Sequence, residues 1–208
     1  MTRIPEPERL EKLSEPDRPF WAKPGVVLAG MDEVGRGPLA GPVVVGCAAM
    51  PPEPLIEHVN DSKKVSEKRR EALWPEMTQT ARGYALGWVW PETIDEINIL
   101  QATKRAYKLA FEAMPLTVTD VLVDALQNLD IPARQFPIVH GDALSYSIAC
   151  ASIIAKVSRD RYMIEQDALY PEYGFARNKG YGTAEHIAAL KKYGPCPIHR
   201  KTFIGKFL

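Results

Sequence analysis

Five short apolar runs, several of which end in acidic residues, constrain this chain more than any other feature. Val26–Asp32 and Gly41–Ala49 are joined by a short Gly-Pro-rich turn, so they predict an antiparallel hairpin. Gly83–Trp90 alternates small and large side chains and predicts a third strand. Thr119–Val123 predicts a fourth strand and Ile138–Val139 a short fifth.

Helical patterns separate and follow these runs. Three strands followed by helix, strand and helix predict an α/β fold. We expect a mixed five-stranded sheet that is flanked by helices, plus a C-terminal helical segment. The predicted helices are one capped by Ser66 that runs to about Thr80, two over Pro91–Asn98 and Ile99–Ala113, a long one over Ser145–Leu169, and a last one near Thr183–Lys192.

The length of 208 residues fits one domain with a short appendage. Residues 1–24 hold five prolines among many charges, so we expect a flexible extension with at most a short helix near Glu8–Leu13. Residues 25–208 would form the domain. No apolar run approaches the roughly 20 residues of a membrane span, and the N-terminus lacks the apolar segment of a secretory signal. The three cysteines are far apart. We expect a cytoplasmic monomer without disulfides.

Four acidic residues stand at predicted strand or helix ends: Asp32, Glu33, Asp124 and Asp142. Each alone fits a structural role, such as a turn or a helix cap. Ligands gather at the carboxyl ends of strands in open α/β sheets. Four ionised carboxylates at one place would repel each other unless cations lay between them, and oxygen ligands suit Mg²⁺ or Mn²⁺. The set therefore favours a metal site for phosphodiester chemistry.

The formal net charge is zero, but the charge is unevenly distributed. Residues 156–208 contain ten basic and five acidic side chains, a net charge of +5, so the remainder carries −5. By itself this difference is ordinary for solvated surfaces. Two divalent cations on the four acids would leave a loaded protein of about +4, which is compatible with a partner that carries phosphates.

Other motifs give weaker signals. The spacing of Gly35, Gly37 and Gly41 departs from a dinucleotide-binding loop and leads into a strand, although bare backbone at Gly35–Gly37 could approach a sugar or phosphate. Cys196-x-x-His199 provides only two zinc ligands. Ser152 lacks the context of an acyl-transfer nucleophile. Tyr181 lies between two glycines, and either stacks on a base or sugar or packs at a rim.

Six motifs in order resemble those of the type 2 ribonucleases H, specifically ribonuclease HII. The resemblance covers about residues 26–204. The similar segments are Met31–Val43 (MDEVGRGPLAGPV), Asp61–Ser66 (DSKKVS), Ile94–Thr103 (IDEINILQAT), Gly141–Asp142 with Ser145–Asp160 (SYSIACASIIAKVSRD), Gly180–Thr183 (GYGT), and His199–Phe203 (HRKTF).

The resemblance implies the ribonuclease H-like fold. It implies an endonuclease that cuts RNA paired with DNA and nicks 5′ to a single ribonucleotide in duplex DNA, with two Mg²⁺ or Mn²⁺ ions as cofactors. The partner would be hybrid or ribonucleotide-containing duplex. Implied metal ligands are Asp32, Glu33, Asp124 and Asp142. Implied substrate contacts are Gly35, Arg36 and Gly37 on the 2′-hydroxyl, Lys63 and Lys64 on phosphates, Tyr181 on the adjoining deoxyribose, and Ser145.

Two departures from the family pattern concern the acidic site. Ala125 follows Asp124 where the family has glycine, so the turn is expected to differ. Leu144 stands where a lysine is usual, and His140 replaces another lysine and could compensate for it in part. An alternative reading is therefore a hybrid-binding protein of the same fold that has lost catalysis.

Overall fold

The computed structural model describes residues 4–208. The helices and strands in chain order are α1 (Glu6–Leu13), α2 (Arg18–Trp21), β1 (Leu28–Val34), β2 (Val43–Ala49), α3 (Glu67–Thr80), β3 (Gly83–Val89), α4 (Pro91–Glu112), β4 (Asp120–Asp124), β5 (Arg134–Ile138), α5 (Gly141–Leu144), α6 (Tyr146–Leu169), a 3₁₀ helix (Pro171–Tyr173), α7 (Phe175–Asn178), α8 (Ala184–Tyr193) and α9 (Lys201–Ile204).

The predicted mixed five-stranded sheet is confirmed, with strand order β3-β2-β1-β4-β5. β1 pairs antiparallel with β2 and parallel with β4. In the register of the parallel pair, Met31 lies beside Val123. The next residues along these strands, Asp32 and Asp124, therefore leave the sheet at the same edge. β5 runs over Arg134–Ile138 rather than the predicted Ile138–Val139.

Helices cover both faces of the sheet. α4 packs on one face against alternate side chains of β1 and β2, and α6 packs on the other. α6 approaches so closely that a Cβ atom at Gly30 would lie 2.1 Å from the Ser147 carbonyl carbon. A Cβ atom at Gly46 would lie 2.3 Å from the Ala151 oxygen. Glycine at these two strand positions thus brings α6 onto the backbone of the central strands.

α4 contains a kink where the sequence predicts a boundary between two helices. Asn98 has φ 66° and ψ 164°, a conformation outside the helical region. Its side-chain oxygen accepts hydrogen bonds from the N–H groups of Leu100 and Gln101. Asn98 therefore ends one helical segment and caps the next, as the two predicted helices require.

From residue 4 onward, the N-terminal segment packs on the domain and differs from the flexible extension that the sequence predicts. Residues 1–3 of that predicted extension lie outside the described residues. α1 buries Leu10 and Leu13 in the cluster formed with α3 and α6. Asp17 is fully buried and accepts hydrogen bonds at the start of α6 from the Ser145 hydroxyl and the N–H groups of Tyr146 and Ser147, at 2.9 to 3.1 Å. These contacts fold residues 5–24 onto the domain.

The C-terminal helices continue the same body. Thr183 caps α8 through its hydroxyl, which accepts from the N–H of His186. Ala40 and His199 form an isolated antiparallel bridge, which joins the loop after β1 to the C-terminal segment. Among the described residues, no helix combines the length and hydropathy that a membrane crossing requires.

Candidate active site

Three of the four predicted carboxylates converge. Asp32 ends the central part of β1, Asp124 ends β4, and Asp142 lies in the first turn of α5. One oxygen atom from each carboxylate lies within 4.8 Å of the others. Asp32 and Asp142 are buried and Asp124 is half-buried. The parallel pairing of β1 with β4 accounts for the first two, and the turn after β5 delivers the third.

The turn after β4 orients Asp124. The N–H of Gly141 donates to its Oδ1 at 2.8 Å, which ties the strand end to the start of α5. Ala125 has φ 51°, the left-handed conformation that glycine adopts more easily. The chain thus keeps a left-handed residue at this position despite the Cβ atom. His140 also adopts a left-handed conformation, with φ 59°.

Glu33 borders this group but its carboxylate has other partners. The Tyr107 hydroxyl donates to its Oε2 at 2.6 Å, and Arg36 donates to its Oε1 at 3.2 Å. Glu33 lies outside the cluster of three aspartates. Successive strand residues point to opposite faces, so Asp32 and Glu33 leave β1 in different directions. Tyr107, on α4, gave no signal in the sequence analysis.

The three aspartates form a strongly anionic group. Burial, followed by the charge of Glu33, raises the pKa of Asp32 well above its usual value. Burial, followed by the charge of Asp142 among the neighbouring groups, also raises the pKa of Asp124. A divalent cation would remove this penalty by neutralising the carboxylates, and three hard oxygen donors match Mg²⁺ or Mn²⁺. The donor set thus fits such an ion.

The two predicted phosphate-binding lysines differ in position. Nζ of Lys63 lies 3.3 Å from the Asp142 carboxylate, and its side chain is 81% exposed. Lys64 pairs instead with Asp61 at 3.5 Å and is also exposed. Leu144 is half-exposed. Lys63 is therefore a cation beside the aspartates, although the usual lysine at position 144 is absent.

A pocket of about 210 Å³ adjoins the carboxylates and gathers most of the predicted substrate contacts. The ring of Tyr181 faces Gly37, where a Cβ atom would lie 3.9 Å from the Tyr181 ring. Lys156, Ser62 and Ser152 also line the pocket and were not predicted to face the site. The lining residues are Asp32, Glu33, Val34, Gly35, Arg36, Gly37, Ser62, Lys63, Ser152, Lys156 and Tyr181.

Ser145 does not reach this pocket, contrary to the prediction of a substrate contact. It is fully buried, and its hydroxyl donates to Asp17 and accepts from the N–H of Ile148. Ser145 is thus the N-cap of α6. The hydroxyl proton and one of its two acceptor lone pairs are used within the protein, and the side chain is buried away from solvent.

Two buried arginines hold the glycine-rich loop. The side chains of Arg159 and Arg200 are fully buried, so these two basic residues of the C-terminal quarter do not carry surface charges. Arg200 donates to the carbonyl oxygens of Gly35, Arg36 and Gly41. Arg159 donates to the carbonyl oxygens at positions 40, 42 and 179. Burying a charge costs free energy unless it is well paired, so these guanidinium groups stabilise one particular loop conformation.

Comparison with known proteins decides the family. The model of the Ribonuclease HII family matches residues 29–206. The chain belongs to the ribonuclease HII family. A ribonuclease HII from Caldanaerobacter subterraneus subsp. tengcongensis is 50% identical over 203 residues, 98% of this chain and 84% of that protein. Family membership makes this protein an enzyme, an endoribonuclease of the ribonuclease H class.

Solved structures of ribonucleases HII share the fold. The ribonuclease H2 of Pyrococcus horikoshii has a TM-score of 0.70 and 28% identity, over 84% of this chain and 92% of that one. A ribonuclease HII from Archaeoglobus fulgidus, solved in complex with PCNA, has a TM-score of 0.71 and 27% identity, over 86% and 96%. The predicted ribonuclease H-like fold is therefore confirmed.

Proposed function

We propose that this ribonuclease HII hydrolyses the RNA strand of RNA/DNA hybrids and nicks duplex DNA 5′ to single embedded ribonucleotides, leaving a 3′-hydroxyl and a 5′-phosphate. The observation that carries the proposal is the convergence of Asp32, Asp124 and Asp142 beside a pocket lined by Gly35–Gly37 and Tyr181. The first group suits divalent cations. The second suits a sugar–phosphate backbone.

The carboxylates would hold two Mg²⁺ or Mn²⁺ ions. The three aspartates would supply the shared set of oxygens, and Glu33, which Tyr107 holds outside that cluster, would add a neighbouring carboxylate. When bound, the ions supply activation of water for attack on the phosphodiester and stabilisation of the leaving 3′-oxygen. Lys63 adds positive charge beside Asp142 for a substrate phosphate.

The glycine-rich loop and Tyr181 provide recognition of the sugar. Gly37 leaves space in front of the Tyr181 ring, so the two segments border one slot. A 2′-hydroxyl in contact with the loop backbone would distinguish RNA from DNA, because this group is what separates the two nucleic acids chemically. Tyr181 would stack on the neighbouring deoxyribose. The proposed partners are hybrid and ribonucleotide-containing duplex, bound by a cytoplasmic monomer.

A nicking assay tests the proposal. A duplex with one ribonucleotide is incubated with Mn²⁺, with Mg²⁺ or with chelator, and the ends of the products are mapped. We expect a metal-dependent nick 5′ to the ribonucleotide, and none in chelator. Absence of this nick would overturn the proposal, and a gel shift without cleavage would instead support a binding protein that has lost catalysis. Equal cleavage of all-DNA duplex would indicate a different nuclease.

A matched pair of variants locates the reaction. Asp124→Asn removes a charge at the aspartate cluster and is expected to abolish cleavage while leaving the fold intact. Asp130→Asn makes the same change at a side chain that is 89% exposed and pairs with Lys108. It is expected to retain wild-type activity. Near-normal turnover by Asp124→Asn would remove that residue from the site.

A further inference from the structure

The neighbourhood of Tyr181 contains two buried histidines that the proposed chemistry does not use. His186 is fully buried in α8, and His199 is 3% exposed and directly precedes Arg200. Their Nε2 atoms are 2.9 Å apart. The rings pack against Tyr173 and Phe175. A pair of imidazoles in such an apolar setting needs a definite arrangement of protons.

The hydrogen bonds at the outer ends of the pair determine that arrangement. At one end, the N–H of Cys196 donates to Nδ1 of His199 at 3.0 Å. Cys196 Sγ lies 3.1 Å from the same nitrogen and can also donate to it. The Cys196 carbonyl oxygen is farther away, at 3.3 Å, and already accepts from the His199 N–H at 3.0 Å. We therefore infer that Nδ1 accepts from Cys196 and that the proton of a neutral His199 is on Nε2. This Nε2–H group donates to Nε2 of His186. The proton of His186 must then be on Nδ1, which lies 2.9 Å from the carbonyl oxygen of Tyr181.

These hydrogen bonds form a relay in which every donor points the same way. The Cys196 N–H donates to His199, His199 donates to His186, and His186 donates to the Tyr181 carbonyl oxygen. Both histidines are neutral in this arrangement. Burial lowers the pKa of His186. Burial, together with the neighbouring His186, lowers the pKa of His199 to about 4. Neutral rings at neutral pH are thus compatible with the geometry, and each ring nitrogen has a partner.

The segment that contains His199 also holds the glycine-rich loop, which borders the slot opposite Tyr181. Arg200 holds the carbonyl oxygens of Gly35, Arg36 and Gly41, as described above. Between the two, the N–H of Leu39 donates to the Gly180 oxygen at 2.8 Å. His199 and Arg200, adjacent in sequence, therefore connect the Tyr181 backbone and the glycine-rich loop to one short stretch of chain.

We propose that His186 and His199 are positioning residues that fix Tyr181 against the glycine-rich loop, and so set the preference for a single ribonucleotide followed by DNA. The proposal rests on the proposed function. Neither histidine lines the pocket with the carboxylates. The pair acts through the Tyr181 backbone, and its loss is expected to leave metal binding unchanged while loosening the contact with the sugar.

Two substitutions at position 186 separate the two ends of the relay. In His186→Asn, the amide nitrogen replaces Nδ1 and still donates to the Tyr181 oxygen. In His186→Gln, the amide reaches the position of Nε2 and still pairs with His199, but the bond to Tyr181 is lost. Both variants are neutral amides of related size. His58, whose side chain is 41% exposed, provides a remote control, His58→Gln.

The kinetic readout is kcat/KM on two substrates, a duplex with one ribonucleotide and a continuous hybrid. We expect His186→Gln to lower kcat/KM about tenfold on the first, as for loss of one buried hydrogen bond, and less than about threefold on the second. His186→Asn, which keeps the bond to Tyr181 and loses only the pairing with His199, should lose less than His186→Gln on the first substrate. His58→Gln should stay within about threefold of wild type on both. In a Tyr181→Ala background, His186→Gln should have no further effect. Equal losses on both substrates, or equal effects of Asn and Gln, would overturn the proposal.

A second measurement does not depend on activity. Side-chain ¹⁵N shifts in the wild-type protein, which has four histidines, report the tautomers. We expect the Nε2–H form for His199 and the Nδ1–H form for His186. The opposite tautomers would overturn the relay even if nicking occurs as proposed. If these tautomers are observed but nicking is absent, the proposed function is refuted, while the hydrogen bond from His186 to the Tyr181 backbone stands.

Discussion

Asp17 provides a quantitative test of the fold, because its contacts join the N-terminal segment to the helix that follows the acidic site. The perturbation is Asp17→Ala. It removes a fully buried carboxylate that accepts three hydrogen bonds at 2.9, 3.0 and 3.1 Å. Two of the donors are N–H groups of the first turn of α6, which no residue of the helix can satisfy.

The magnitude follows from the number of donors. A hydrogen bond to a charged group contributes about 1.5–3 kcal/mol. At about 1.5 kcal/mol for each bond, three bonds give about 4–5 kcal/mol. Removal of the buried charge recovers part of this amount, about 1–2 kcal/mol. We expect the free energy of unfolding to fall by about 3 kcal/mol, which lowers Tm by about 6–12 °C for a chain of this size.

Urea denaturation followed by circular dichroism provides the assay. Asp17→Asn keeps one acceptor oxygen and places an NH₂ group against the remaining donors, so an intermediate loss is expected. Glu15→Ala changes an exposed neighbour and should stay within about 0.5 kcal/mol of wild type. If Asp17→Ala also stays within that range, the contact does not hold the N-terminal segment on the domain.

Three further predictions concern the acidic site. Because the pKa of Asp32 is raised in the folded state, the metal-free protein loses stability as pH rises from about 4. Asp32→Asn in chelator should therefore increase the free energy of unfolding at pH 7, by about 1.4 kcal/mol for each unit by which the pKa is raised. Ala125→Gly should stabilise the protein by about 0.5–1 kcal/mol, because a left-handed alanine costs about 1–2 kcal/mol and glycine gives back part of this in the unfolded chain. Hybrid should bind more weakly in chelator than in Mg²⁺ at matched ionic strength, because the cations neutralise the acids that repel phosphates.

A different result would contradict each of these three predictions. For Asp32→Asn, the stability gain should disappear below about pH 4, where the wild-type carboxyl is protonated in both states; a gain that persists there has another cause. For Ala125→Gly, the same substitution at the exposed Ala188, in the interior of helix α8, should destabilise the protein by about 0.5–1 kcal/mol. A loss of stability at both sites would contradict the prediction. The affinity for hybrid is measured by anisotropy before cleavage. Equal affinity in chelator and in Mg²⁺ would show that cations on the acids do not strengthen binding of the hybrid.

Most of the sheet could be predicted because its strands are encoded locally. β1, β2 and β4 are mainly apolar and mostly buried, and β3 alternates buried with half-buried residues. The glycines that admit α6 lie within β1 and β2. β5 was misplaced because it is an edge strand with mostly exposed residues and contains Pro137, so it lacks the apolar pattern of the others. The acidic residues were found because strand ends in an α/β sheet share an edge.

The supporting residues of the site had no comparable local signal. Ser145 was predicted to contact substrate on the basis of its motif, yet its partner, Asp17, lies 128 residues away and buries it. Asp17 itself stands in a proline-rich charged segment that is typical of a flexible terminus. Arg159 and Arg200 appeared as part of a basic segment, because residue type shows charge but not burial.

The fold class, the family and the three aspartates that converge could be named from the sequence, since periodicity, strand-end acids and ordered motifs are properties of neighbouring residues. Glu33 was placed with the aspartates but lies outside their cluster. The tertiary structure decided which of the predicted residues reach the site and what holds them there. Ser145 and Asp17 became a helix cap, two arginines became anchors of a loop, and two histidines became a relay to Tyr181. These roles depend on burial and on hydrogen bonds between segments far apart in the chain, and such contacts exist only once the chain has folded.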